Sequence, residues 1–80
     1  AFASTVSGGV NNNISSEYGT IGGGLNNAIS TAIRSVIAGG QNNDITANYG
    51  TIAGGSDNTV SGEQGFIGGG YLNICSTFGW

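Results

Sequence analysis

The chain has 80 residues with a formal net charge of −3, from four acidic residues and one arginine, and this balance excludes a surface of clustered Lys and Arg for nucleic acid. Glycine accounts for 17 residues, about three times its average share of ~7%, but the absence of proline and of Gly-X-Y triplets excludes collagen. One cysteine excludes an intrachain disulfide, and no apolar run approaches the ~20 residues of a transmembrane helix, so we expect no membrane insertion.

The dominant feature of the sequence is an internal repeat. Residues 18–30, YGTIGGGLNNAIS, return with few changes as residues 49–61, YGTIAGGSDNTVS. Shifted against itself, the chain shows a 15-residue period with a single 16-residue step, and such a fixed period is typical of stacked repeat architectures. We expect a single domain, residues 1–80, that belongs to a longer fibrous protein. Its predicted coils lie near residues 4–18, 19–33, 34–49, 50–64 and 65–80.

Six positions of the repeat, two of them in the Gly pair, keep one chemical class of residue, and we call the residues at one such position a column. The first aliphatic column is Val6, Ile21, Ile37, Ile52 and Ile67. Gly pairs follow at residues 8–9, 23–24, 39–40, 54–55 and 69–70. The asparagine column is Asn12, Asn27, Asn43, Asn58 and Asn73. The second apolar column is Ile14, Ile29, Ile45, Val60 and Cys75. The hydroxyl column is Ser15, Ser30, Thr46, Ser61 and Ser76.

These columns predict an all-β chain. Glycine and asparagine are poor helix formers and no apolar stripe of period 3.6 is present, whereas β-branched residues between turn formers are typical of short strands. Fifteen residues fit one coil of a parallel β-solenoid, with two strands of about four residues and coils stacked ~4.8 Å apart. Both apolar columns are predicted to point inward, and the hydroxyl column to face outward or cap a turn. The Gly pairs suit positive φ or close backbone approach, and the asparagine column suits left-handed turn positions and amide hydrogen bonds between coils.

The turn before each first strand is less regular. Its predicted column is Tyr18, Ile33, Tyr49 and Gln64, followed by Phe78 one residue early. The 16-residue step places an insertion in STAIRSVI, residues 30–37, with Arg34 in the bulge. Arg34 is interpreted either as a solvated cation of the loop or as one half of an ion pair with a neighbouring chain.

Residues that carry chemistry are few and scattered. The chain has no histidine and no lysine, and its single cysteine has no basic partner, so the sequence predicts no enzyme, no cofactor and no metal site. Residues 39–46, GGQNNDIT, are similar to a calcium-binding nonapeptide, but Asp44 does not recur at that period. Cys75 is interpreted as a small buried apolar residue, with a reactive or cross-linking thiol as the alternative. Asn13 begins an Asn-Ile-Ser glycosylation sequon and is expected to be exposed.

Four aromatic residues gather toward the C-terminal end. They are Phe66, Tyr71, Phe78 and Trp80. We expect them to close the last coil or to contact a following domain, with an exposed aromatic patch for a carbohydrate or receptor as the alternative.

The two long copies, YGTIGGGLNNAIS and YGTIAGGSDNTVS, resemble the head repeats of YadA-like (Hep_Hag-type) trimeric autotransporter adhesins and the TIGGGxNNxIS repeats of fibre proteins from viruses, phages and bacteria. The resemblance covers residues 4–78 and implies a left-handed parallel β-roll, three of which pack side by side at a surface. The adhesin heads favour slightly shorter coils than this chain, and their strand reads Ser-Val-Ala-Ile-Gly where this chain has a Gly triplet or Ala-Gly-Gly.

The sequence therefore predicts a non-enzymatic structural or display module. Two apolar residues per coil make a thin core for 80 residues, and a thin core favours packing against identical neighbours, here a homotrimer. The expected location is extracellular, on a cell or virion surface, with an unknown receptor or glycan as partner. One alternative is an ice- or crystal-binding solenoid that uses the hydroxyl column and the position of Thr20 and Thr51. Another is a filament subunit that stacks end to end.

Overall fold

The computed structural model describes residues 4–15, 17–30 and 34–76, and the regular elements of that part of the chain are all short β-strands. Each strand has two residues instead of the predicted four, because glycines and left-handed residues turn the backbone after every few positions. In chain order the strands are β1 Thr5–Val6, β2 Asn13–Ile14, β3 Thr20–Ile21, β4 Ala28–Ile29, β5 Val36–Ile37, β6 Asp44–Ile45, β7 Thr51–Ile52, β8 Thr59–Val60, β9 Phe66–Ile67 and β10 Ile74–Cys75.

Alternate strands form two parallel sheets. The first sheet has the order β1-β3-β5-β7-β9, and the second has β2-β4-β6-β8-β10. Each coil thus gives one strand to each sheet and stacks on the next coil through the parallel pairing. The predicted all-β class and the parallel β-solenoid are confirmed, with about four turns. The fifth predicted coil includes residues 77–80, which lie outside the described residues.

The strand register follows the columns of the sequence. Ile21 pairs with Ile37 and Ile37 with Ile52, so the longer and the shorter step of the repeat both keep equivalent residues opposite each other. Thr20 pairs directly with Val36, which leaves no bulge at that strand. The extra residue of the long step therefore lies between Ser30 and Arg34, within residues 31–33, which the structure does not describe.

The core is a flat double layer of side chains from the two sheets. Its fully buried members are Ile21, Ile29, Ile37, Ile45, Ile52 and Val60, with Ile67 and Cys75 nearly so. They come from the two apolar columns, which meet because successive residues of a strand point to opposite faces and every coil repeats the same register. Cys75 packs as a small apolar residue in this layer.

The first coil departs from the predicted inward columns. Val6 is 44% exposed, and Ile14 is only partly buried against the core. Both residues pair with the second coil on one side, and no described coil covers their other side. The first coil therefore lacks the cover that the interior coils receive on both sides.

A third line of backbone contacts joins the coils between the two sheets, and the sequence did not indicate it. Single parallel bridges connect residues of quite different chemistry, so no column marks the position. These residues are Val10, Leu25, Gln41, Ser56 and Tyr71.

Candidate functional site

The most elaborate polar structure in the molecule is the asparagine column. The side-chain amide of Asn27 donates to the Gly23 carbonyl of its own coil at 3.0 Å and to the Gly40 carbonyl of the next coil at 3.0 Å. Its Oδ1 accepts the backbone N–H of Asn43 at 3.0 Å. One amide therefore closes the Gly turn of its own coil and binds the following coil twice.

The same three bonds recur at Asn43 and Asn58, with lengths between 2.9 and 3.1 Å. Asn27, Asn43 and Asn58 are completely buried, so their side-chain amides depend on these bonds instead of on water. A direct amide-to-amide bond occurs once among the described residues, from Asn27 Nδ2 to Asn12 Oδ1 at 3.2 Å. The contacts between coils run mainly through the backbone.

The left-handed positions of this turn are not those predicted. Positive φ falls on the residue before each member of the asparagine column, as at Asn26 with φ 57° and Asn42 with φ 56°. Leu72 takes the same conformation, φ 60°, at the equivalent place in the last coil. The prediction that the asparagine column itself is left-handed is therefore wrong: its side chains must point inward to reach the carbonyls of two coils.

The second glycine of each Gly pair allows this close approach. Gly24, Gly40 and Gly55 have φ between 97° and 104°, which disfavours any L side chain. A Cβ added to Gly40 would collide with the Gly55 carbonyl oxygen and lie 2.6 Å from the Asn43 amide nitrogen. Both predicted reasons for the pair, positive φ and lack of room for a Cβ, are confirmed at this glycine.

The turn before each first strand also has a left-handed residue. Tyr18, Arg34, Tyr49 and Gln64 all have φ between 57° and 62°. Arg34 thus occupies this column, and the predictions that placed Ile33 there and Arg34 in a bulge are wrong. The extra residue precedes Arg34 and shifts it into register with the aromatic residue of the coil before.

Arg34 contacts that coil in two ways. Its backbone N–H donates to the Glu17 carbonyl at 3.1 Å, and its guanidinium carbon lies 5.4 Å from the centroid of the Tyr18 ring. A cation over a tyrosine face at an exposed site contributes ~0.5–1 kcal/mol. An ion pair between Arg34 and a neighbouring chain stays a prediction.

Ser35 is a buried polar residue that the sequence analysis missed. It stands in the column of Gly19 and Gly50, and its side chain is fully buried. The hydroxyl donates to the Ala47 carbonyl at 3.2 Å and accepts the Gly50 N–H at 3.1 Å. Ser35 thus joins its coil to the next, as the asparagine amides do on the other side.

Titratable groups do not converge in the part of the chain that the structure describes. No three of its His, Cys, Asp or Glu side chains lie close enough together to hold a metal ion, and it has no helix long and apolar enough to cross a membrane.

Partial burial raises the pKa of Asp44 above its ordinary value. A carboxyl whose pKa rises on folding destabilises the fold once the pH exceeds that pKa, so ionisation of the Asp44 side chain does not add to the stability at neutral pH.

The two sheets present different outer surfaces. The outward residues of the first sheet carry no charge, and we call this surface the flat face. Its members are Thr5, Ser7, Thr20, Gly22, Val36, Ala38, Thr51, Ala53, Phe66 and Gly68. The second sheet presents the hydroxyl column, whose members are exposed or half-buried, together with Asp44 and the exposed sequon residue Asn13.

The predicted aromatic cluster is described only in part. Phe66 lies on the flat face, while Tyr71 lies in the bridge column of the last coil, and both are exposed. Phe78 and Trp80 lie outside the described residues.

Comparison of the chain with protein-family models, with characterised proteins and with solved structures finds no match.

Proposed function

We propose that this chain is a non-enzymatic structural module of a fibre or surface adhesin. In this proposal five 15-residue coils form a left-handed β-roll, and three identical chains pack side by side. The observation that carries the proposal is the asparagine column, because its buried amides bind backbone groups of their own coil and of the coil that follows. The most regular polar residues of the sequence thus stack one coil on the next. A shaft or head that holds a binding surface requires such stacking.

The flat face is the surface that best suits side-by-side packing. All five charged residues of the chain lie elsewhere, and most side chains of the face are small. Contacts between identical chains favour uncharged, closely packed centres, because a charge buried without a partner costs free energy. Display on a cell or virion surface, with a receptor or glycan as the ligand, follows from the resemblance to adhesin and fibre repeats.

The solution mass of the chain tests this proposal. We expect light scattering after size exclusion to give the mass of three chains. Thr51→Arg, which places a charge in the flat face, should give single chains, whereas Thr46→Arg, the same change on the second sheet, should leave the trimer intact. A folded wild-type monomer, or equal masses for the two variants, would contradict side-by-side packing through this face.

An ice- or crystal-binding surface is the weaker alternative. Such a surface needs regular ranks of hydroxyls, and the rank of Thr20 and Thr51 is interrupted by Val36 and Phe66, which pair directly with these threonines. The hydroxyl column alone supplies a single rank. Thermal-hysteresis activity of the folded chain would favour this alternative over the fibre.

A further inference from the structure

The side chain of Asn13, the residue that begins the single Asn-x-Ser/Thr sequon of the chain, is open to solvent. Asn13 lies on the outer surface of β2, whereas Ile14 beside it packs against the core. Within the described part of the chain, the Asn13 side chain makes no hydrogen bond. A substituent on its amide nitrogen therefore breaks no contact of the fold.

Ser15 supplies the hydroxyl of the sequon on the same surface. Because successive residues of a strand point to opposite faces, residues 13 and 15 lie on one side of the second sheet. Their backbone N–H groups donate to the carbonyls of Asn27 and Ile29 at 2.9 Å, so the next coil holds both residues in place. Ser15 is exposed as well. The acceptor amide and the hydroxyl thus face solvent together.

The asparagine column does not tolerate such a substituent. The Asn12 amide donates to the Gly8 and Gly24 carbonyls at 2.9 and 3.0 Å, and the buried members of the column bind in the same way. A glycan would replace one of the two amide hydrogens and break one of these bonds. The column also stands two residues before the second apolar column, so none of its members has the Ser or Thr that a sequon requires.

We propose that Asn13 carries an N-linked glycan when the chain is made in a eukaryotic secretory pathway. The reaction joins Nδ2 of Asn13 to the anomeric carbon of an oligosaccharide that is linked to a lipid diphosphate. The nitrogen loses one proton, the bond from the anomeric carbon to the diphosphate oxygen breaks, and the lipid diphosphate leaves. The transferase of the pathway acts on the chain before it folds, so the fold has to accommodate a bulky group at this position.

The glycan lies on the side of the molecule opposite the flat face. Asn13 belongs to the second sheet, whereas Thr5 and Ser7 of the same coil belong to the flat face of the first. Glycosylation at Asn13 is thus compatible with side-by-side packing of three chains. The inference rests on the proposed display at a surface, because the route to that surface has to include a secretory compartment.

The mass of the secreted chain tests the site. Produced behind a cleavable signal peptide in cultured eukaryotic cells, the wild-type chain should carry one N-glycan, and its removal by peptide N-glycosidase should leave aspartate at position 13. Asn13→Gln and Ser15→Ala should lose the glycan completely, whereas Ser15→Thr, which keeps the hydroxyl, should retain it. A secreted wild-type chain without a glycan, or a glycan that survives Asn13→Gln, would overturn the proposal.

Circular dichroism then compares the glycosylated chain with the same chain after enzymatic removal of the glycan. We expect equal spectra and equal unfolding midpoints, because the Asn13 side chain faces solvent. A glycosylated chain that is unfolded, beside a folded Asn13→Gln chain, would show that the fold does not accommodate a glycan at this position.

A matched control moves the sequon to the other sheet. Thr5→Asn, combined with Asn13→Gln, gives the same spacing with Ser7 on the exposed flat face of the same coil. After correction for the glycan mass, we expect three chains for the protein glycosylated at position 13 and single chains for the protein glycosylated at position 5.

The outcomes separate this inference from the proposed trimer. Trimers with a glycan at either position overturn packing through the flat face and leave the Asn13 site. A wild-type trimer without a glycan overturns the site and leaves the trimer. Single chains that become trimers only after the glycan at position 13 is removed overturn its placement opposite the flat face.

Discussion

Gly40→Ala is expected to prevent the solenoid from folding. Gly40 has φ 100°, and its new Cβ would meet the carbonyl oxygen of Gly55 in the next coil. The Gly55 carbonyl and the Gly40 backbone that carries the new Cβ cannot move apart, because hydrogen bonds between coils hold both. We expect a loss of more than ~4 kcal/mol, which is comparable with the whole stability of a small domain. Circular dichroism and urea unfolding would measure it.

The neighbouring glycine provides the control. A Cβ added to Gly39 meets no atom within 4 Å, and its φ is not in the left-handed region. Gly39→Ala should therefore fold, and it should be more stable than the wild type by ~0.4–1 kcal/mol because the unfolded chain loses conformational freedom. Equal effects of the two substitutions would contradict the close approach of the coils at Gly40.

Asn43→Ala is expected to cost ~3–5 kcal/mol of unfolding free energy. The substitution removes bonds to the Gly39 and Gly55 carbonyls and to the Asn58 N–H, at 3.0, 3.1 and 3.0 Å. The buried Asn58 N–H is left without a partner, which costs ~1–3 kcal/mol, and each lost bond to a carbonyl costs a further ~0.5–1.5 kcal/mol. Chemical unfolding followed by circular dichroism measures the change.

Substitutions of Asn42, the preceding residue, distinguish the hydrogen-bonding role of the Asn43 side chain from the role of a left-handed turn residue. Asn42 is exposed with φ 56°, so Asn42→Ala should cost only ~1–2 kcal/mol and Asn42→Gly almost nothing. Asn43→Gly should be as damaging as Asn43→Ala, because glycine restores no amide. If glycine were tolerated at position 43 and not at position 42, the side-chain role of Asn43 would be wrong.

The two sheets and their core were predictable from the sequence. A β-branched residue two positions before each Gly pair fixes one inward column, and the second apolar column follows eight residues later. Because strand register in a solenoid repeats from coil to coil, the 15-residue period sets which residues pair, as Ile37 with Ile52. The prediction was wrong for Val6 because no described coil covers one of its sides, which the pattern of one column does not reveal.

The roles of adjacent asparagines were not predictable from residue preference alone. Asparagine favours left-handed backbone, and this preference was assigned to the unbroken column instead of to its variable neighbour. In the structure the left-handed position accepts even Leu72, since the strain of one side chain is small. The amide position is invariant because its three hydrogen bonds have no substitute. The asparagine column is invariant, whereas the position before it holds asparagine in three coils and Asp or Leu in the others. This contrast is the signal that could have separated the two roles.

The prediction for the irregular turn before each first strand was wrong for a different reason. The single long step of the repeat shows that one residue is inserted, but sequence alignment alone left its place within STAIRSVI open. The positive φ of Arg34 and the pairing of Thr20 with Val36 locate it before Arg34. Ser35 likewise could not be recognised, because most coils have glycine at its position.

Hydrogen exchange at the backbone amides of Asn43 and Asn58 is the most direct test of the central claim, that the asparagine column holds the coils together. Each of these N–H groups donates to the side-chain oxygen of the asparagine one coil earlier, at 3.0 Å. We predict that both exchange only through global unfolding, with protection that equals the unfolding free energy. Exchange of these amides at the rates of exposed turns, in an otherwise folded chain, would contradict the account.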